Sequence, residues 1–143
     1  MALQTALTRR LGLRYPVIAA QLGRGSTPEF LAALAREGAM GFVALMHMPE
    51  TQVRQTLSAY VAATGGGERF GVNLTLIVDQ TRRLEAALEA GCRVVSLWHG
   101  DPAPYARRAK DAGATVFWTV SGPADAARAR FRSATPTVGT PPS

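Results

Sequence analysis

The sequence predicts an α/β protein in which helices cover a parallel β-sheet. Apolar runs of strand length alternate with segments of helical period along the whole chain up to about residue 127. One junction recurs, a helix-stopping glycine followed by a buried strand: Glu37-Gly38-Ala39 before Gly41 to Leu45, Ala90-Gly91-Cys92 before Val94 to Leu97, and Ala112-Gly113-Ala114 before Val116 to Thr119. The strands read as apolar on both faces, the pattern of strands buried in a parallel sheet. A chain of 143 residues that is 47% hydrophobic and 18% charged also has the composition of one globular domain.

Each element has its own local signal. Val17 to Ala20, after Tyr15-Pro16, is too short for a helix and reads as the first strand. Thr27 is a helix N-cap, Pro28 suits the first helical position because its missing N–H costs nothing there, and Glu29 suits the positive end of the dipole. That helix runs to Glu37 and stops at Gly38. Gly41 to Leu45 is the second strand. Pro49 opens a helix in which Val53, Leu57, Tyr60 and Val61 recur at helical spacing until Gly65-Gly66-Gly67. Phe70 to Leu74 is the third strand. Leu84, Ala87 and Leu88 mark a helix ending at Gly91, before the fourth strand from Val94 to Leu97. Pro102 to Ala112 is the next helix, Val116 to Val120 the fifth strand, and Asp125 to Arg130 begins a further helix.

Consecutive βα units of this kind build either a doubly wound sheet or a barrel. Length favours the open sheet, since a (β/α)8 barrel usually takes ~250 residues. Yet the first βα turn lacks a dinucleotide fingerprint, because Gly23-x-Gly25 runs into Pro28 without a third glycine. Sixteen basic residues against ten acidic ones give a net charge of +6, but Arg128, Arg130 and Arg132 supply half of the excess. The others lie beside acids in helical segments, the pattern of a solvated face, so no nucleic-acid partner is expected. No apolar run is long enough to span a bilayer. Cys92 is a lone cysteine, which implies a reducing, cytoplasmic setting, and neither histidine has a second ligand at metal-binding spacing.

Six segments in register carry a family resemblance: Leu11-Gly-Leu-Arg-Tyr-Pro-Val-Ile18, Gly25-Ser-Thr-Pro-Glu29, Gly38-Ala-Met-Gly-Phe42, Phe70-Gly-Val-Asn-Leu74, Val94-Val-Ser96 and Gly100-Asp-Pro-Ala-Pro-Tyr105. Together they resemble the nitronate monooxygenases, formerly 2-nitropropane dioxygenases, over residues 7–127. The resemblance implies a (β/α)8 TIM barrel of which this chain holds about five βα units, with FMN at the C-terminal ends of the strands and oxidation of alkyl nitronates by dioxygen. Related barrels reduce enoyl thioesters or quinones.

The loops after the strands build the active face of such a barrel, which makes Ala20 to Gly23, Met46-His47, Asn73 to Thr75, Trp98 to Gly100 and Thr119 to Ser121 the candidate positions. The resemblance implies that backbone groups around Ala20, Gln21 and Leu22 flank the isoalloxazine and that Asn73 bonds its polar atoms. His99 is the candidate catalytic base, near the mouth with a side chain suited to proton transfer at neutral pH. His47 reads as a hydrogen-bonded loop residue. Two departures stand out: some relatives carry His at the position of Trp98, and relatives carry Gln-Ala-Pro-Met where this chain has Ala19-Ala20-Gln21-Leu22.

Residues 128–143 change character. Three prolines, several Ser and Thr and no acidic residue predict a disordered tail in place of a sixth strand, and the abrupt onset points to a truncation or reading-frame change. The phosphate-holding loops of a complete barrel follow its later strands, so the chain by itself is expected to hold FMN weakly or not at all. Its unpaired sheet edges make it a candidate for self-association, or for pairing with another fragment as a non-catalytic module.

Overall fold

The structure, a computed structural model, describes residues 3–127. Helix α1 (Ala6–Leu11) precedes strand β1 (Ile18–Ala19). Four βα units follow in strict alternation: α2 (Pro28–Glu37) and β2 (Met40–Ala44), α3 (Glu50–Thr64) and β3 (Gly71–Thr75), α4 (Thr81–Glu89) and β4 (Val94–Trp98), α5 (Ala103–Asp111) and β5 (Thr115–Trp118). The strands lie side by side in the order β1-β2-β3-β4-β5, and every pairing is parallel. A doubly wound sheet reverses its strand order at a switch point, whereas a barrel adds each strand beside the last. The observed order is therefore that of a barrel, in which the length-based expectation of an open sheet gives way.

The two faces of the sheet confirm this. Alternate residues of the strands point to opposite sides. Val43 and Leu45, Val72 and Leu74, and Val95 and Leu97 join Leu31 of α2, Val53 and Leu57 of α3, Leu84 and Ala87 of α4 and Ala109 of α5 in one core between sheet and helices. The other face forms a separate cluster of Met40, Phe42 and Val94, with Ile18 and Phe117 against it. Its helical contribution comes from α1 and the turn after it, where Leu11 and Leu13 cover the N-terminal end of the concave face. Arg10 spans the same end, its Nε donating to Thr115 Oγ1 of β5 at 3.3 Å.

The strands form where expected, within one or two residues at each end. Thr27 caps α2 by accepting the Phe30 N–H, and Gly38 ends it in a left-handed conformation. Gly38 resists alanine on two counts, its φ of 80° and the Arg14 side chain that a Cβ would meet. Helix α1 was not anticipated; Thr5 and Thr8 form a capping box and Gly12 closes it. Four arginines pair with acids on another helix and not with their sequence neighbours: Arg54 with Glu89, Arg108 bidentate with Glu85, and Arg82 and Arg83 with Glu50. That is the solvated face the charge pattern implies. Residues 123–127 are helical; the remainder of the helix expected to Arg130 and the tail at 128–143 lie outside the described residues. Among the described residues, no helix is long and apolar enough to cross a membrane.

Candidate functional site

The concave face changes character along the strands. At its N-terminal end stand Met40, Phe42 and Val94; further along, Asn73, Ser96 and Phe117 share one level across β3, β4 and β5, with Thr75 and Trp98 beyond them. Register pairs Asn73 with Ser96 and Thr75 with Trp98 across β3 and β4. Asn73 is buried, and its Nδ2 donates to Ser96 Oγ at 3.2 Å. The amide oxygen takes no part in that bond. Asn73 thus sits in the middle of a strand, two positions past Gly71, and not at a turn where an amide would serve as a backbone cap. The buried amide therefore lies on the concave face at the middle of β3, two residues before the C-terminal end of the strand.

Two strands away, after β1, the β1–α2 loop carries Ala20, Gln21 and Leu22. Ala20 and Leu22 are exposed and Gln21 is half-buried. The loop is braced from behind: Tyr60 of α3 donates its hydroxyl to the Ser26 carbonyl, and Ser26 Oγ accepts the Leu22 N–H at 2.9 Å. Burial, with the charge of Glu29 adding to it, raises the Tyr60 pKa, so the phenol remains a donor. The brace commits the Leu22 N–H to the protein.

His99 follows the last residue of β4. It is exposed, its ring stacks on Trp98 with centroids 4.1 Å apart and planes at 27°, and its backbone is left-handed with φ of 57°. It is the non-glycine residue with positive φ among the described residues, a conformation that costs about 1 kcal/mol or more and so needs support. The support is Gly100, also left-handed, whose Cα packs so closely on Leu76 that a Cβ would strike the Leu76 carbonyl oxygen. The Leu76 N–H in turn donates to the Trp98 carbonyl at 2.8 Å. His47 lies exposed in the β2–α3 loop.

Sequence reasoning missed a clamp between the next two loops. Tyr105 of α5 donates to Asp79 Oδ1 at 3.0 Å and accepts the Gln80 N–H at 3.2 Å. Buried Gln80 reaches back to donate to the Thr75 carbonyl. The Thr81 hydroxyl and N–H, then the Tyr105 hydroxyl, hold the Asp79 carboxyl below its ordinary pKa. The signal was present in Asp79-Gln-Thr81, an Asx turn at a helix start. A cavity of about 470 Å³ lies elsewhere, between α3 and α4, lined by Glu50, Arg54, Arg82 and Arg83. Its charges are the ion pairs described above, and it lies on the helical face of the sheet, away from Asn73.

Fold and mouth together define a class, five consecutive units of a (β/α)8 TIM barrel with its concave polar end intact. Known proteins agree. No family model matches the chain. Two curated proteins are similar to it, both named (3aS,4S,5R,7aS)-5-hydroxy-7a-methyl-1-oxo-octahydro-1H-indene-4-carboxyl-CoA dehydrogenase. That of Mycobacterium tuberculosis is 30% identical over 118 residues and that of Rhodococcus jostii 27% over 116, covering 82% and 80% of this chain. The chain spans only about a third of the length of these relatives, 33% and 32%. Among solved structures, FabK from Thermotoga maritima superposes with a TM-score of 0.81 at 24% identity, over 92% of this chain and 42% of its own. Nitroalkane oxidase from Streptomyces ansochromogenes gives 0.74 at 21% identity, over 91% and 46%. The enoyl reductase domain of MlnA from Bacillus amyloliquefaciens gives 0.69 at 21%, over 85% and 32%. All of these names denote oxidoreductases, and the superpositions establish the fold.

Proposed function

We propose that this chain is the N-terminal part of a flavin-dependent oxidoreductase barrel of the nitronate monooxygenase type, with FMN as cofactor and an alkyl nitronate and dioxygen as substrates. The observation that carries the reading is the buried Asn73–Ser96 pair on the concave face, with the braced Ala20–Leu22 loop following β1 of the same sheet. These residues fit a flavin. Asn73 offers an amide oxygen, and the backbone of Ala20 and Gln21 offers further polar atoms. Around them the exposed side chains of Leu22 and Trp98 give an apolar edge. A bound flavin supplies two-electron redox chemistry that no side chain of this protein has. The chain's own work is to orient the ring through Asn73, to shield one edge of it with Leu22, and to hold or accept a proton at the imidazole of His99.

Absorbance of the purified chain, before and after addition of FMN, tests the cofactor. A flavin band shift that saturates with added FMN supports it. Weak binding, lost on desalting, is the expected form, because the phosphate-holding loops of a complete barrel follow its later strands. His99→Ala then tests the base against propane-2-nitronate, with an enoyl-CoA thioester as the competing substrate. A chain that takes up no FMN at any concentration counts against the reading.

A second reading treats the chain as a non-catalytic α/β piece that pairs with a partner or with itself. It draws support from β1 and β5, each hydrogen-bonded to a neighbouring strand on one side only among the described residues.

A further inference from the structure

We propose that Trp98 is an aromatic wall of the ligand site, and that the free face of its indole stacks on a planar, electron-poor ring system. This rests on the flavin reading above and names the isoalloxazine as that ring. The inference begins with register. Val94 belongs to the concave cluster while Val95 and Leu97 belong to the helical core, so alternation places Ser96 and Trp98 with Val94 on the concave face. Trp98 therefore stands one step further toward the mouth than Ser96, the hydrogen-bond partner of Asn73, and directly opposite Thr75 on β3.

Its surroundings hold it there. One face of the indole is covered by His99 at 4.1 Å. The backbone on its C-terminal side is locked by consecutive positive φ angles at His99 and Gly100 and by the close approach of Gly100 to Leu76. Its own carbonyl is fixed by the Leu76 N–H. Part of the residue stays open: Trp98 is 39% exposed, against burial of Val94, Val95, Ser96 and Leu97 in the same strand. An immobilised, half-covered indole whose residue lies beside a buried amide has the geometry of a stacking platform. Strained backbone conformations persist where the surrounding structure over-determines them, and they cluster at such clamps. Indole is electron-rich, and stacking on an electron-poor ring is sequence-independent and needs no further donor.

The test uses the 143-residue chain carrying Trp118→Phe, which makes Trp98 its only tryptophan, and lumiflavin as probe, because lumiflavin has the ring without the phosphate. Equilibrium dialysis gives the affinity, and tryptophan fluorescence lifetime separates static stacking from collision. The expected result is static quenching that saturates in step with dialysis, and a loss of lumiflavin affinity of about tenfold in Trp98→Leu with partial rescue in Trp98→Phe. Lumiflavin that binds equally well to Trp98→Leu, or binds without static quenching of Trp98, overturns the proposal and leaves the flavin reading standing. If neither lumiflavin nor FMN binds the unaltered chain in dialysis, the flavin reading and the stacking proposal fall together. Should Trp98→Leu not fold, the lifetime measurement on the parent chain decides.

Discussion

Asn73 and Ser96 meet across β3 and β4, Nδ2 donating to Oγ at 3.2 Å, on the face of the sheet that carries no βα helix. Ser96→Ala removes the acceptor and leaves a buried N–H without a partner, which costs about 1–3 kcal/mol. Replacing both, Asn73→Leu with Ser96→Ala, removes donor and acceptor together and is expected to cost less than the single change. Urea denaturation of the variants measures the difference. Non-additivity of this sign shows that the pair acts as one unit.

Gly100 tests how the mouth is shaped. Gly100→Ala forces a side chain into a left-handed backbone and against the Leu76 carbonyl, so it is expected to cost about 2 kcal/mol and to disturb the Trp98–His99 stack. Gly122→Ala, where a Cβ meets nothing, is the control. Thermal unfolding gives the stability, and in a Trp118→Phe background the near-ultraviolet tryptophan signal gives the stack. A Gly100→Ala protein with parental stability and an unchanged tryptophan signal contradicts the account of a locked turn.

What was legible in the sequence was local. Thr27-Pro28-Glu29, the glycine stops at Gly38, Gly65 and Gly91, and the β-branched runs from Val94 and Val116 each depend on neighbours in the chain, and each element formed where they placed it. The strand around Asn73 was legible through its Phe70-Gly-Val-Asn-Leu74 context. What was not legible depends on distant partners. Strand order separates a barrel from an open sheet, and that order lies in pairings such as Ile18 with Met40 and Val94 with Thr115. Trp98 reads as a loop residue if β4 ends at Leu97; one more residue of pairing, to Thr75, turns it into a wall of the mouth. Helix α1, six residues long, is too short for a periodicity signal, and its place under the concave face is a tertiary fact.

The edges of the sheet predict association. Val17, just before β1, is 53% exposed, and Phe117 and Trp118 of β5 are half-buried. Open parallel edges with apolar side chains are templates for pairing. In sedimentation velocity the 143-residue chain is expected to run as a dimer or larger species at micromolar concentration, and Val17→Lys, a charge at the β1 edge, is expected to shift it toward monomer. A parent chain that sediments as a monomer removes the self-association reading.

Cys92 gives a prediction in pH. It is fully buried just after α4, and burial, with the charge of Glu68 adding to it and Arg93 opposing, pushes its thiol up to about 12. Below the ordinary thiol pKa of about 8.5 both folded and unfolded chains keep the proton, and stability is independent of this group. Above it the unfolded chain ionises while the folded one does not, so the unfolded state gains and stability falls as pH rises, by about 1.4 kcal/mol per pH unit, until the folded pKa is reached. Tyr60, also raised, adds a slope of the same sign only above about 10. Denaturation between pH 8.5 and 10 therefore isolates the thiol. Cys92→Ala is expected to flatten the slope there while lowering stability at pH 7 through the lost sulfur contacts. In the parent chain, a thiol reagent should react only as fast as the protein opens; prompt labelling of the folded protein would show that Cys92 is accessible and that the slope has another source.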